Sequence, residues 1–139
     1  MFSKILLATD GSNNALRAAR HVAQMVKNQP AEVTILSAAY VPSTYLDDFS
    51  AGLLESFLKD ARQALDFTRK VFDQEQVSYQ IKLDRDRHPA EAILHEAGEG
   101  DYDLIVLGSR GLSNREAKRL GSISQEVAER ARCSVLLIR

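Results

Sequence analysis

The residues best suited to chemistry lie late in the chain: Gly108-Ser109-Arg110-Gly111, nine further residues, then Gly121-Ser122. They follow a strand-like run, Asp103-Leu104-Ile105-Val106-Leu107, and precede Ile123-Ser124-Gln125-Glu126-Val127-Ala128, which reads as the opening turns of a helix. Glycines between a strand end and a helix start let main-chain N–H groups approach a ligand closely. The helix start adds unpaired donors and a partial positive charge, a combination suited to phosphate. Each position has a task in such a site. Gly108 and Gly111 remove side chains that would block the phosphates, and the N–H groups around Arg110 and Gly111 can donate in a nest-like turn. Gly121 lets the chain return close to the anion, and Ser122 adds a hydroxyl and a helix-start N–H. Arg110, Arg115, Lys118 and Arg119 put positive charge in and beside the intervening loop. A solvated charged loop is the plain alternative for Arg115 and Lys118, since exposed charges contribute little.

The elements that must position these residues alternate along the chain. Short apolar runs at 5–9, 33–40, 77–83, 104–107 and 135–138 read as strands. Between them, apolar residues recur at three- and four-residue steps: Ala15 to Val26, Leu54 to Phe72, Ala90 to Ala97 and Ile123 to Ala131. A β-α-β-α-β-α-β-α-β order predicts an α/β fold, a mostly parallel sheet with helices on both faces and right-handed crossovers. Ile5-Leu6-Leu7-Ala8 and Leu104-Ile105-Val106-Leu107 are apolar throughout, as central strands must be. The run 77–83 alternates, with Ser78, Gln80 and Lys82 on its polar side, which suits an edge. Pro89 fits the first position of the third helix, and Gly98 and Gly100 fit its end. Ser122 and Gln125 have capping-box spacing, so Ser122 is expected to cap the last helix, bind phosphate, or do both. The longest loop, about 41–50, follows the second strand and suits either a lid or a plain surface connection.

Bulk properties exclude several classes. The chain of 139 residues, 45% of them hydrophobic, is expected to form one domain, 1–139. Lys plus Arg number 18 and Asp plus Glu 19, a net charge of −1 that argues against a general nucleic-acid or membrane-surface binder. Cys133 is the only cysteine, which leaves no internal disulfide and no Cys-rich metal site; burial as a small apolar residue is its simplest role. Phe2 leads straight into a strand-like run rather than a signal peptide. No apolar stretch reaches the roughly 20 residues of a membrane span. A cytoplasmic location is expected. His21 and His95 fall on helical stripes without a second ligand at metal spacing, and His88 precedes Pro89 near the third strand's end, where it could face a crevice.

The spacing Gly-x2-Gly-x9-Gly-Ser resembles the nucleotide-binding motif of the ATP-binding branch of the universal stress protein family. Ile5-Leu6-Leu7-Ala8-Thr9-Asp10-Gly11-Ser12 looks like that family's first strand and acidic turn, and Ser134-Val135-Leu136-Leu137-Ile138-Arg139 like its terminal strand. The resemblance implies five strands in the order 3-2-1-4-5. Ligands of such sheets bind where the order reverses, here between the first and fourth strands, whose ends carry Asp10 and the glycine motif. Asp10 could then hold Mg²⁺, through water, or reach a ribose hydroxyl; capping of the following helix is its alternative role. The resemblance matches Ala38 to the adenine-contacting position, acting through its backbone. It further implies a non-catalytic, ATP-binding regulatory module that pairs as a homodimer through Ser134–Ile138, with an unknown protein partner and with no nucleic-acid or membrane ligand. The chain departs from the family pattern at Ser37, Arg87 and Ser134, where histidine, glycine and proline are common.

Two other functions compete. A nucleotide-dependent phosphoryl- or adenylyl-transferring enzyme, or a slow ATPase, would share the fold, but neither His-x-Gly-His nor Gly-x4-Gly-Lys-Ser/Thr occurs. A phosphoacceptor receiver domain needs clustered acids after the first strand and a late lysine; Asp10 has no acidic neighbour and no lysine follows Lys118. A Rossmann site would need Gly-x-Gly-x-x-Gly where Asp10-Gly11-Ser12-Asn13-Asn14 stands.

Overall fold

The computed structural model describes residues 1–41, 50–110 and 120–139. Its elements are β1 (Lys4–Ala8), α1 (Asn13–Lys27), β2 (Glu32–Ala38), α2 (Ser50–Gln74), β3 (Gln80–Asp84), α3 (Pro89–Glu99), β4 (Leu104–Gly108), α4 (Ser122–Arg130) and β5 (Ser134–Ile138). The strands form one parallel sheet in the order β3-β2-β1-β4-β5. The expected order and strand–helix alternation are therefore the observed ones.

The side-chain period of two, with both faces covered, explains why residues 5–8 of β1 and 104–107 of β4 are apolar throughout. Ile5 and Leu7 of β1 and Leu104 and Val106 of β4 point to one face, where they meet Ala18, Ala19 and Val22 of α1 and Leu65 and Phe72 of α2. Leu6 and Ala8, with Ile105 and Leu107, point to the other, against Ala90, Ala92 and Ile93 of α3 and Val127 of α4. Each fully buried Leu or Ile in these layers contributes about 1.5–3 kcal/mol.

The edges differ. β3 begins at Gln80 rather than at Val77. Val77 and Tyr79 still pack on the α1/α2 core, Tyr79 with its ring 5.7 Å from that of Phe72. Ile81, on the open border, is 42% exposed. On β5, Val135, Leu136 and Leu137 are half-buried and Ser134 is exposed.

Pro89 opens α3 as expected. Gly100 caps its end, but at φ −94 rather than in a left-handed turn. Its missing side chain matters for clearance instead: a Cβ there would lie 2.4 Å from the Tyr102 ring. Cys133 is half-buried against the α3/α4 core, and burial pushes its thiol pKa up. Among the described residues no helix is long and apolar enough to cross a membrane.

The amino ends of β1 and β4 are tied by Asp103. Its carboxylate accepts from the Ser3 N–H at 2.9 Å, the Ser3 hydroxyl at 3.0 Å and the Lys4 N–H at 3.1 Å. The Ser3 N–H, first among these donors, holds the Asp103 carboxyl below its ordinary range. A depressed folded-state pKa stabilises above the unfolded value of about 3.9 and stops doing so as pH falls through the folded value. Asp103→Asn is therefore expected to lower stability by about 1 kcal/mol at neutral pH, solvent screening included. Thermal unfolding of both proteins from pH 7 to pH 2.5 should show the gap closing below about pH 4. A gap independent of pH would rule this role out.

Candidate functional site

The sheet opens where the strand order reverses. β1 and β4 stay in register only to Leu7 and Val106, whereas β4 and β5 continue to Gly108 and Ile138. Beyond Val106, β4 has therefore parted from β1. Alternation along a parallel strand then fixes where the main-chain groups point. The Ser109 N–H bonds the Ile138 carbonyl at 2.7 Å, toward β5, so Gly108 presents its N–H and carbonyl to the β1 side. On β2, the Leu36 carbonyl accepts from the Thr9 N–H at 2.9 Å, and the Ala39 N–H bonds Asp84 on β3 at 2.9 Å. Ala38 shares the parity of Leu36 and so turns its own backbone groups toward the β1 side, past the last register pair, Ala8 with Leu36.

A cavity of about 380 Å³ fills this opening. Asp10, Ala38, Gly108, Arg110, Gly121 and Ser122 all border it. Residues from both halves of the sequence thus meet at one place, as the switch-point geometry requires. Gly111, like Arg115, Lys118, Arg119 and the long loop at 42–49, lies outside the described residues. His88 is exposed and does not line the cavity; Pro89 beside it does. His21 and His95 are exposed on their helices.

The turn after β1 is closely specified. Gly11 has φ +78, in the left-handed region, and a Cβ on it would lie 3.2 Å from both Cα and Cβ of Ala64 on α2. The Asp10 side chain accepts from the Ser12 N–H at 2.9 Å, an Asx turn. Ser12, not Asp10, caps α1: its hydroxyl accepts from the Ala15 N–H at 3.2 Å. The capping alternative for Asp10 is thus set aside. A Ser three residues before a helix amide is the shorter route to that bond.

Two expectations for the glycine motif need correction. Ser122 does not cap α4; Gly121 is the N-cap and Ser122 the first helical residue, exposed to solvent. The hydroxyl that fixes this corner belongs to Ser124, buried, with Oγ 2.8 Å from the Ser109 carbonyl and 3.0 Å from that of Gly121. The Gly121 N–H also donates to Ser109, at 2.8 Å, so α4 is latched to the end of β4. The second correction concerns Gly108. A Cβ there would meet Asn14 Cβ at 2.8 Å and the Asn14 carbonyl carbon at 3.0 Å. The first need for glycine at 108 is clearance for the start of α1, and main-chain exposure to the cavity follows from it.

The walls divide the cavity chemically. Leu36, Ala92, Ile93 and Leu107 supply an apolar region able to hold a planar ring. The α4 start also borders the cavity through Ser122, Ile123 and Ser124, where the first helical N–H groups have no intrahelical carbonyl to reach, and Asp10 lines it too, exposed. Sequence inspection missed the apolar lining from α3 and the buried Ser12 and Ser124. Ser12 was visible as a cap signal two residues before the Asn14-Ala15 turn; the α3 lining carried no sign beyond its core stripe.

A family model, that of the universal stress protein family, matches residues 1–139. A universal stress protein of Thermus aquaticus is 36% identical over the full length of both chains. UspA from Lactobacillus plantarum is similar in structure, with TM-score 0.84 and 25% identity over 99% of this chain and 98% of that one. More distant structures share the fold. They include a universal stress protein in complex with cAMP (TM-score 0.75, 22% identity, 99% and 97% covered). An Archaeoglobus fulgidus protein was solved with dAMP (0.74, 21%, 100% and 98%) and an Arabidopsis thaliana protein with AMP (0.71, 20%, 98% and 90%). With a family match along its whole length and a parallel sheet opening at the same reversal of strand order, the chain belongs to the universal stress protein family.

Proposed function

We propose that this protein binds an adenine nucleotide, ATP with Mg²⁺, in the crevice between β1 and β4, and that it acts as a regulatory module without dedicated catalysis. The observation that carries this is the convergence of Asp10, Ala38, Gly108 and the α4 start on one half-apolar cavity. The apolar wall suits the base, and the backbone N–H and carbonyl of Ala38 offer a donor–acceptor pair to the adenine edge. Arg110 and the first α4 amides suit the phosphates. Among the described residues no group of three His, Cys, Asp or Glu side chains gathers. Mg²⁺ would therefore rest on phosphate oxygens and water with Asp10 as its protein carboxylate, the usual habit of that ion. Three family structures hold adenine nucleotides, which supports the base class.

A homodimer through β5 completes the proposal. The half-buried Val135, Leu136 and Leu137 on an open border would otherwise invite uncontrolled pairing. Native mass spectrometry of freshly purified protein, with calorimetric titration of ATP in Mg²⁺, tests both parts. One nucleotide per chain and a two-chain mass are expected. Protein that neither retains nor binds adenine nucleotide refutes the binding role, and a one-chain mass at micromolar concentration refutes the pairing.

A further inference from the structure

Thr68 lies on α2, 0% exposed and outside the cavity lining. Its hydroxyl is 2.7 Å from the Ala64 carbonyl and 2.7 Å from the Thr9 hydroxyl. A carbonyl can only accept, so Thr68 donates to Ala64 and must accept from Thr9. Thr9, 7% exposed, in turn accepts from the Gly11 N–H at 3.1 Å. The proton order runs one way, from Gly11 N–H to Thr9 to Thr68 to the Ala64 carbonyl. The chain ends on the same Ala64 against which Gly11 packs without room for a Cβ. One turn of α2 therefore seats the Asp10-Gly11-Ser12 turn by steric contact and by a directed hydrogen-bond relay.

We infer that Thr68 is a positioning residue for nucleotide binding, acting from the α2 face of the sheet through Thr9 and Gly11 on the placement of Asp10. This rests on the nucleotide-binding role proposed above. Removing the Thr68 hydroxyl leaves the buried Thr9 donor without its acceptor, an unfavourable state that rotation of Thr9 relieves. Rotation frees the Gly11 N–H and lets the turn shift. Buried polar chains of this kind act as units, so loss of one member is felt at the other end.

The test compares Thr68→Val, of equal shape, with Thr68→Ser, which restores the hydroxyl. Two quantities are read at a temperature where each variant is fully folded: affinity for Mg²⁺-ATP by calorimetry, and hydrogen exchange at the Gly11 amide by NMR. For Thr68→Val the expected result is affinity about tenfold weaker, the size of one lost hydrogen bond, with faster Gly11 exchange. Thr68→Ser should return both toward the wild-type values. Thr68→Cys, similar in volume with a poorer donor, carries the same expectation should the valine variant not fold. A folded Thr68→Val protein in which either quantity stays at its wild-type value overturns the inference. If the wild-type protein binds no nucleotide, the functional proposal fails by itself, and Gly11 exchange alone then decides whether Thr68 holds the turn.

Discussion

Replacement of Gly108 by alanine should both destabilise the protein and weaken the proposed nucleotide binding. The new Cβ would fall 2.8 Å from Asn14 Cβ and 3.0 Å from the Asn14 carbonyl carbon, and 3.2 Å from the Ala15 nitrogen. Two of those three atoms are backbone, so no rotamer change relieves the contact; the first turn of α1 or the end of β4 must move. Overpacking of this kind costs about 1–3 kcal/mol, or about 3–10 °C in melting temperature for a domain this long. The same movement displaces the Ser12 cap, the Asp10 turn and the main-chain groups of Gly108 that face the cavity. Nucleotide affinity should fall by more than about tenfold even at temperatures where the variant is folded. At Gly98, by contrast, an added Cβ would meet no atom within 4 Å, and Gly98→Ala on the exposed side of α3 should leave affinity unchanged and stability unchanged or slightly raised. Thermal melts and calorimetry of the two variants side by side check this; equal behaviour of the pair would refute the clearance role of Gly108.

Asp10→Asn should separate two duties of one side chain. The amide keeps an oxygen to accept from the Ser12 N–H, so the Asx turn survives and the melting temperature should move by no more than about 1–2 °C. The charge is lost, and with it the carboxylate proposed to stand near Mg²⁺. In the absence of Mg²⁺, ATP should bind the variant as well as the wild type or better, because a carboxylate beside phosphates repels them. In its presence the wild type should gain and the variant should not, leaving affinities about tenfold or more apart. Asp10→Ala adds loss of the turn and costs about 1 kcal/mol of stability besides. An asparagine variant that retains the whole Mg²⁺-dependent gain would remove Asp10 from the ion.

Much of the fold was legible because burial on both faces forces a strand to be apolar at every position, as Ile5-Leu6-Leu7 and Leu104-Ile105-Val106 are. The same signal misplaced the start of β3. Val77 and Tyr79 are apolar because they pack on the core, but the ladder begins only at Gln80. Periodicity reports burial, and hydrogen bonding is a separate matter. In the site, Gly108 and Gly121 border the cavity, and the clearest need for glycine at 108 is room for the start of α1. Ser122 and Gln125 have the spacing of a cap, yet Gly121 takes the N-cap position and the latch falls to Ser124. Thr68 falls on the helical stripe between Leu54 and Phe72, and nothing in its local sequence sets it apart. Its partner Thr9 is 59 residues away, and no local pattern records such a bond.

The strand order leaves the sheet with two unlike borders. On β3 the outermost residues are Gln80, Ile81 and Lys82, all exposed, with the Lys82 ammonium held 2.9 Å from Glu96. On β5 the border is Val135, Leu136 and Leu137. The exposed polar residues of β3, Lys82 above all, oppose strand pairing at that border. In the proposed dimer, two copies meeting through β5 about a twofold axis would cover that flank on both and leave Gln80, Ile81 and Lys82 of β3 facing outward. Assembly by this route would be self-terminating, so raising the concentration should favour closed pairs over fibrils.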